Sequence, residues 1–440
     1  MKGSGRTPLT LIAGIFNYGY TFFMLHQRRA SSGVLFVIYG NMIIYGFVQT
    51  MRGVVYPLVK NNFDVSYSRQ GFLVFLVSCA SVAACAAAGV FLNRFGFRKS
   101  MAAAFTAVLA GMAAFLAAPG KGAAAGFWIL AGMFILIQAG LGFFEIVLNG
   151  MGAKTFTKKS ALMMNLLHFF YGMGAVLGPA FAGFIANGLG LSWRLVYPAA
   201  FVPVALMALV TFFMAPKETP PASPAGAAPA QADAAGGNGA GGNGADGFSF
   251  WSALREPMVW RFGVILGLAS VGDVSMTNWS GLYLQDVYGY DPRTTGAAFL
   301  SLFYILYTAT RLFGGFVIEK AGYFKSLIFA AGAVVILFCS GFILGRNGVW
   351  ILPFTGLFLA ILYPTVLAVN IHVFGKRAQT ASSAILVIAF SLGGLIQFLI
   401  GLTNRYLGEA WGFRSCVLYI AAMGLLLWRL SRVTAKTASR

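Results

Sequence analysis

Twelve long apolar runs punctuate this chain, at 34–58, 68–92, 101–118, 124–151, 161–187, 194–215, 258–286, 296–318, 326–345, 349–374, 383–404 and 413–431. Each is near the length that a helix needs to cross a bilayer. Backbone placed in hydrocarbon must satisfy its own hydrogen bonds, which leaves helices or a closed barrel. The two-residue alternation of barrel strands is absent. With 59% hydrophobic and 10% charged residues, 440 residues could not hide their apolar side chains in a water-soluble core. The expected fold class is therefore all-α integral membrane, with twelve transmembrane helices.

The runs divide six and six. Residues 216–257 between them open as Pro216-Lys-Glu-Thr-Pro-Pro-Ala-Ser-Pro and continue as Gly236-Gly-Asn-Gly-Ala-Gly-Gly-Asn-Gly. Such a segment has almost no apolar surface to bury and reads as a flexible linker. The flanking units are a half at 34–215 and a half at 258–432, with a tail at 433–440. Gly89-Val-Phe-Leu-Asn-Arg-Phe-Gly-Phe-Arg-Lys-Ser100 in the first half recurs as Gly315-Phe-Val-Ile-Glu-Lys-Ala-Gly-Tyr-Phe-Lys-Ser326 in the second. Self-similarity at half the chain length means two structural repeats. In a membrane protein it implies two rigid halves with a site between them. Residues 1–33 hold a short apolar stretch followed by His26-Gln-Arg-Arg29. They read as an interfacial helix rather than a signal peptide or a thirteenth span, unless the start codon is over-extended.

The formal charge of +20 invites a nucleic-acid reading, but no soluble domain exists to present a basic face. Topology explains it better. If the first span runs outward, most of the 31 Lys and Arg fall on the cytosolic side, as the positive-inside bias requires. Both termini are then cytosolic, in the cytoplasmic membrane of a bacterium. Cys79, Cys85, Cys339 and Cys416 lie in spans without metal-ligand spacing and read as packing residues. No cofactor or metal is expected beyond a coupling proton. The expected partners are lipid and a small solute, with the chain a monomer.

In the repeated turn, Gly89 and Gly96 allow close packing and a tight reversal, while Arg94, Arg98 and Lys99 face lipid phosphates. The segment resembles the signature between the second and third helices of the major facilitator superfamily, Gly-x-Leu-x-Asp-Arg-x-Gly-Arg-Arg. Asn93 replaces its acid, which weakens a charged latch, while the second copy keeps Glu319 after Gly315. The resemblance spans about 34–432 and implies the major facilitator fold. These residues, with Arg311, are the expected cytosolic gate.

Ionisable groups inside spans are costly and mark pathways by default. Only Glu145 and Asp273 among eleven acids fall well inside a run. Gln138, Gly142, Glu145 and Asn149 follow three/four spacing and share one helix face. Apolar surroundings disfavour the charged carboxylate, so Glu145 could load and release a proton, or sit neutral and hydrogen-bonded to a neighbouring helix. Gly-x-Gly-x-x-Glu-x-x-x-Asn here resembles the fucose/glucose:proton symporter branch of that superfamily. The resemblance implies proton coupling and substrate binding at Glu145, with Asn149 beside it. The next run, which also resembles that branch, places Asn165, His168 and Gly172 on one face. His168 is either a cavity residue or a packed neutral histidine.

The first helix carries Asn41, Tyr45, Gln49, Arg52 and Tyr56 as a polar stripe, without the acid that fucose symporters of the branch have there. Arg52 could bind an anionic substrate group or pair with Asp273, and this departure leaves room for a carboxylated or phosphorylated substrate. Asp273 shares a face with Ser270 and Thr277; Asn278 and Trp279 could hydrogen-bond and stack on a sugar, or Trp279 could mark the interface. Ser301, Tyr304, Thr308 and Arg311 form another stripe, with Arg311 a gate anchor or a substrate ligand. Tyr363, Asn370, His372 and Gln397 are weaker cavity candidates. The expected function is proton-coupled transport of a small polar solute such as a sugar by alternating access, with Glu145 and Asp273 as coupling acids. Efflux of amphipathic compounds is the alternative direction. A membrane enzyme would need clustered His, Cys or carboxylates, and a sensor would bind without flux.

Overall fold

The computed structural model describes residues 32–119, 126–156, 160–215 and 249–438. Expectations for residues 1–31 and for the Pro/Gly-rich stretch 216–248 lie outside them. Among the described residues twelve helices are long and apolar enough to cross a membrane: α1 Ser32–Phe63, α2 Tyr67–Leu92, α3 Arg94–Ala117, α4 Gly126–Gly152, α5 Met163–Gly188, α6 Trp193–Met214, α7 Pro257–Tyr288, α8 Pro292–Gly314, α9 Tyr323–Ile343, α10 Gly345–Asn370, α11 Thr380–Leu407 and α12 Trp411–Arg432. No strand occurs among the described residues. The chain is a multi-pass membrane protein. Expected and observed spans agree in number and order. The main differences are that α3 starts at Arg94 rather than 101 and that α1 continues past residue 58 to Phe63, carrying Lys60 and Asn61.

Both copies of the repeated turn reverse on their second glycine. Gly96 has φ 77° and ψ 176°, inside an otherwise continuous α2–α3 helix. Gly322 has φ 89° and ψ 141° between α8 and α9. That region is open essentially to glycine alone.

The described residues form two main apolar cores, one within α1–α6 and one within α7–α12. Close helix crossings build each. A Cβ on Gly46 would lie 2.0 Å from the Tyr171 carbonyl oxygen, and one on Gly174 would lie 1.9 Å from that of Ile43. α1 and α5 therefore touch backbone to backbone, as small residues permit in lipid. The halves meet along α2 against α11 and α5 against α8. At the end remote from residues 216–248 they also meet at α1 and α7, where a Cβ on Gly281 would be 2.8 Å from the Gly53 carbonyl oxygen. No comparable packing joins α4 to α10. The far end is closed, and among the described residues the end carrying Met214 and Phe250 lacks the corresponding α4–α10 seal.

Candidate functional site

Between the halves, α4 turns its polar face inward. The Tyr45 hydroxyl on α1 donates to Glu145 Oε2 at 3.1 Å. Among the described residues no ion pair to Glu145 occurs, while Lys60 pairs with Asp286 and Arg293 with Asp291. Asn149 Nδ2 donates back to the Glu145 backbone carbonyl at 2.8 Å, so it braces its own helix. The Tyr45 ring packs on Tyr171 of α5 with centroids 4.9 Å apart, a contact made possible by the Gly46 crossing. Tyr363 of α10 and Glu145 interact electrostatically across the cleft.

The second half supplies a chain of polar groups. Tyr307 on α8 donates its hydroxyl hydrogen to Asp273 Oδ2 at 3.2 Å and accepts from Arg311 Nη2 at 2.8 Å. The Arg311 guanidinium lies 4.6 Å from the centre of the Tyr307 ring. Arg311 thus turns inward along its own helix, one turn from Tyr307, and holds Asp273 at one remove. It is not placed as a gate anchor or a snorkelling residue. Thr277 and Tyr304 share a 2.7 Å hydrogen bond between α7 and α8. Tyr171 interacts with both Arg52 and Arg311 and with Tyr304 and Tyr307, which puts it between the two halves' polar groups. His168 interacts with Arg311, at the edge of the same cluster.

A second polar layer lies about two helical turns farther along α1, toward the closed end. Arg52 Nη1 donates to Gln138 Oε1 at 3.1 Å, and Gln138 Nε2 donates to Ser81 Oγ at 3.3 Å. Gln49, Arg52, Tyr56, Gln138 and Tyr197 line a narrow void there. Arg52 Nε and Gln49 Oε1 are buried without a hydrogen-bond partner. Arg52 does not pair with Asp273, whose carboxylate is turned to Tyr307 and to its own helix.

Several expected cavity residues are placed elsewhere. Asn41 is fully buried and bonds Thr211 of α6. Trp279 is 1% exposed and donates to Gln397 of α11 at 2.8 Å, with Asn278 on the same acceptor at 3.3 Å. Neither residue offers a free stacking face to the cleft. Asn370 is buried and bonded to Ser382. Asn165 is exposed. Among gate residues, Gly89 is buried and Arg94 exposed. Arg98 docks within its own half, donating to the Phe212 carbonyl with its guanidinium 4.2 Å above the Phe212 ring. The side chains at Asn93, Gly315, Glu319 and His372 lie outside the described residues, so the expected Asn93–Glu319 asymmetry does too.

Sequence reading passed over Tyr307, Tyr171 and Ser81. Tyr307 sits four residues before Arg311, and that spacing was the available signal. It also passed over a far-end cluster whose members lie at or beyond the ends of the expected runs. Lys60 pairs with Asp286 at 3.3 Å, Tyr67 also donates to Asp286, and the Asn61 and Gln285 amides exchange two 3.0 Å hydrogen bonds. Nothing in the sequence links residues some 220 positions apart.

Residues 38–354 match the family model of the Major Facilitator Superfamily. A glucose/galactose transporter of Brucella abortus is 21% identical over 408 residues, covering 87% of this chain and 91% of the relative, and the protein of a second strain matches equally. Among solved structures, the E. coli fucose:proton symporter superposes with a TM-score of 0.59 at 18% identity, over 89% of this chain and 97% of that one. The human organic anion transporter MFSD10 gives 0.62 at 14% identity, over 91% and 100%. At these identities the structural matches speak to the fold.

Proposed function

This chain belongs to the major facilitator superfamily, a family of transporters rather than enzymes, and from that premise we propose that it couples entry of a sugar-class solute to a proton by alternating access. The observation that carries the reading is the state of Glu145. Its carboxyl sits on α4 between the halves and, among the described residues, is held by one tyrosine hydroxyl and by no cation. A carboxyl so placed gains or loses its proton without breaking an ion pair, and its environment changes when the halves rock. Asp273 differs, because Tyr307 and Arg311 tie it to α8; it is the second acid, positioned to sense solute at Thr277 and Tyr304. The curated relatives named for glucose and galactose transport support a sugar.

In this arrangement α1 against α7 closes the far end, and motion of α4 toward α10 would close the other. That motion carries Glu145 toward Tyr363 and away from the solvent that exchanges its proton. Arg94, Arg98 and Lys99 at the α2–α3 turn, with Lys325 and Arg377 at the same end of the second half, support a cytosolic placement of that end and of both termini, in a cytoplasmic membrane. The test is uptake into proteoliposomes under an imposed pH gradient with a panel of hexoses and related metabolites. Glu145→Gln abolishes gradient-driven accumulation while solute counterflow continues. Unchanged accumulation in that variant refutes the assignment.

A further inference from the structure

Proton coupling at Glu145 leaves the Arg52 layer without a role. Arg52 is half-buried with its Nε withdrawn from water, and such a group is costly unless its donors are satisfied and its charge is met. Arg52 meets neither condition: one Nη bonds an uncharged amide, Nε has no partner, and the ion pairs of the described residues involve other side chains. The Tyr56 hydroxyl lies beside the guanidinium, but a phenol supplies no charge at neutral pH. The acid closest in role, Asp273, is committed to Tyr307.

The surroundings are built to hold the guanidinium in place. Gln138 is itself oriented by Ser81, so its amide oxygen fixes one Nη and leaves the Nε side of the fork to the void. Gln49, one turn before Arg52 on α1, presents a buried amide to that void, with Oε1 unpartnered. A planar two-donor edge matches a carboxylate, which accepts two parallel hydrogen bonds from arginine, while the unpartnered Gln49 Oε1 can accept from a ligand hydroxyl. Tyr45 and Glu145 lie below on the same two helices, and Tyr304 interacts electrostatically with Arg52 from α8. A ligand anchored at Arg52 therefore extends toward hydroxyl groups from both halves and toward the coupling acid.

We propose that the solute is a sugar acid, whose carboxylate is bound by the Nε edge of Arg52 and whose hydroxyls meet the Tyr45, Thr277 and Tyr304 layer. This rests on the reading of the cleft as a sugar-class site. It has an electrical consequence. One proton moving with one hexuronate carries no net charge, whereas one proton with a neutral hexose carries one positive charge.

The test compares galacturonate with galactose, which differ by the carboxylate, in calorimetric binding to the purified full chain. Galacturonate binds more tightly, and Arg52→Gln weakens it about ten- to a hundredfold, the range expected for a charge-assisted bidentate contact. Arg52→Lys keeps the charge but loses the fork and restores only part of the affinity. Thermal melting verifies that both variants fold. Galactose binding equal to or tighter than galacturonate, or galacturonate affinity indifferent to Arg52→Gln, overturns the proposal while leaving the sugar reading intact. Binding of neither compound, to protein shown folded by thermal melting, overturns both.

Discussion

Gly281→Ala should open the far end of the protein. In the closed arrangement the added Cβ would lie 2.8 Å from the Gly53 carbonyl oxygen and 3.0 Å from Pro57 Cγ. Neither neighbour is a flexible side chain that can swing aside. Ordinary carbon–oxygen contact is about 3.4 Å or more, so α1 and α7 must separate by roughly 0.6 Å or strain to a similar extent. Overpacking of this kind costs about 1–3 kcal/mol. Because α1 and α7 touch at this point only when the far end is closed, the penalty falls on that state alone. The closed-to-open ratio then drops by about 5- to 150-fold. Spin labels at Arg69→Cys on α2 and Thr294→Cys on α8 report it, both sites being exposed at that end and one lying in each half. The four native cysteines are first replaced by alanine. Electron–electron distance measurements should show a longer population in Gly281→Ala than in the parent. Gly332→Ala is the control, since a Cβ there meets nothing within 4 Å. Identical distance distributions for Gly281→Ala and the parent, in protein that melts normally, would refute the argument that this backbone contact sets the closed state.

Three further outcomes are expected. Asp286→Asn removes the partner of Lys60, a pair only 16% and 11% exposed, and the same spin labels should show far-end opening by about a factor of ten, corresponding to 1–2 kcal/mol for a half-buried pair. Tyr45→Phe leaves Glu145 without its one side-chain donor; gradient-driven uptake should fall about three- to tenfold, the effect of one hydrogen bond, while counterflow changes less. Gly96→Ala and Gly322→Ala place a side chain at φ 77° and 89°, and each should lower the melting temperature, at about 1–3 kcal/mol of backbone strain, with little change in solute affinity.

The legible part of the fold follows from demands that each segment meets locally. A run of about 20 apolar residues in lipid has one way to satisfy its backbone, so twelve spans could be read without knowing any neighbour. The repeated turn was legible for the same reason, since Gly96 and Gly322 adopt backbone angles closed to other residues. Glu145 was legible as a carboxyl that hydrocarbon does not tolerate without purpose. The helical spacing that put Gln138 and Glu145 on one face holds in the structure, where both side chains reach across to α1.

Partners were another matter, because a polar stripe states which residues share a face and not what that face meets. Thr277 and Trp279 are two residues apart, yet Thr277 meets Tyr304 in the cleft and Trp279 turns to Gln397 in α11. Arg52 had two readings from sequence, and only the position of α4 against α1 joined it to Gln138 and left its Nε edge free. Lys60 and Asp286 close the far end across two halves that the sequence describes separately. The sequence by itself determined what each segment must become in a membrane: helices, turns and two intramembrane acids, all set by the free energy of placing a residue in hydrocarbon. The tertiary structure alone decided which polar groups meet, because hydrogen bonds and ion pairs form within about 3 Å and those distances are set by helix packing between residues far apart in the chain.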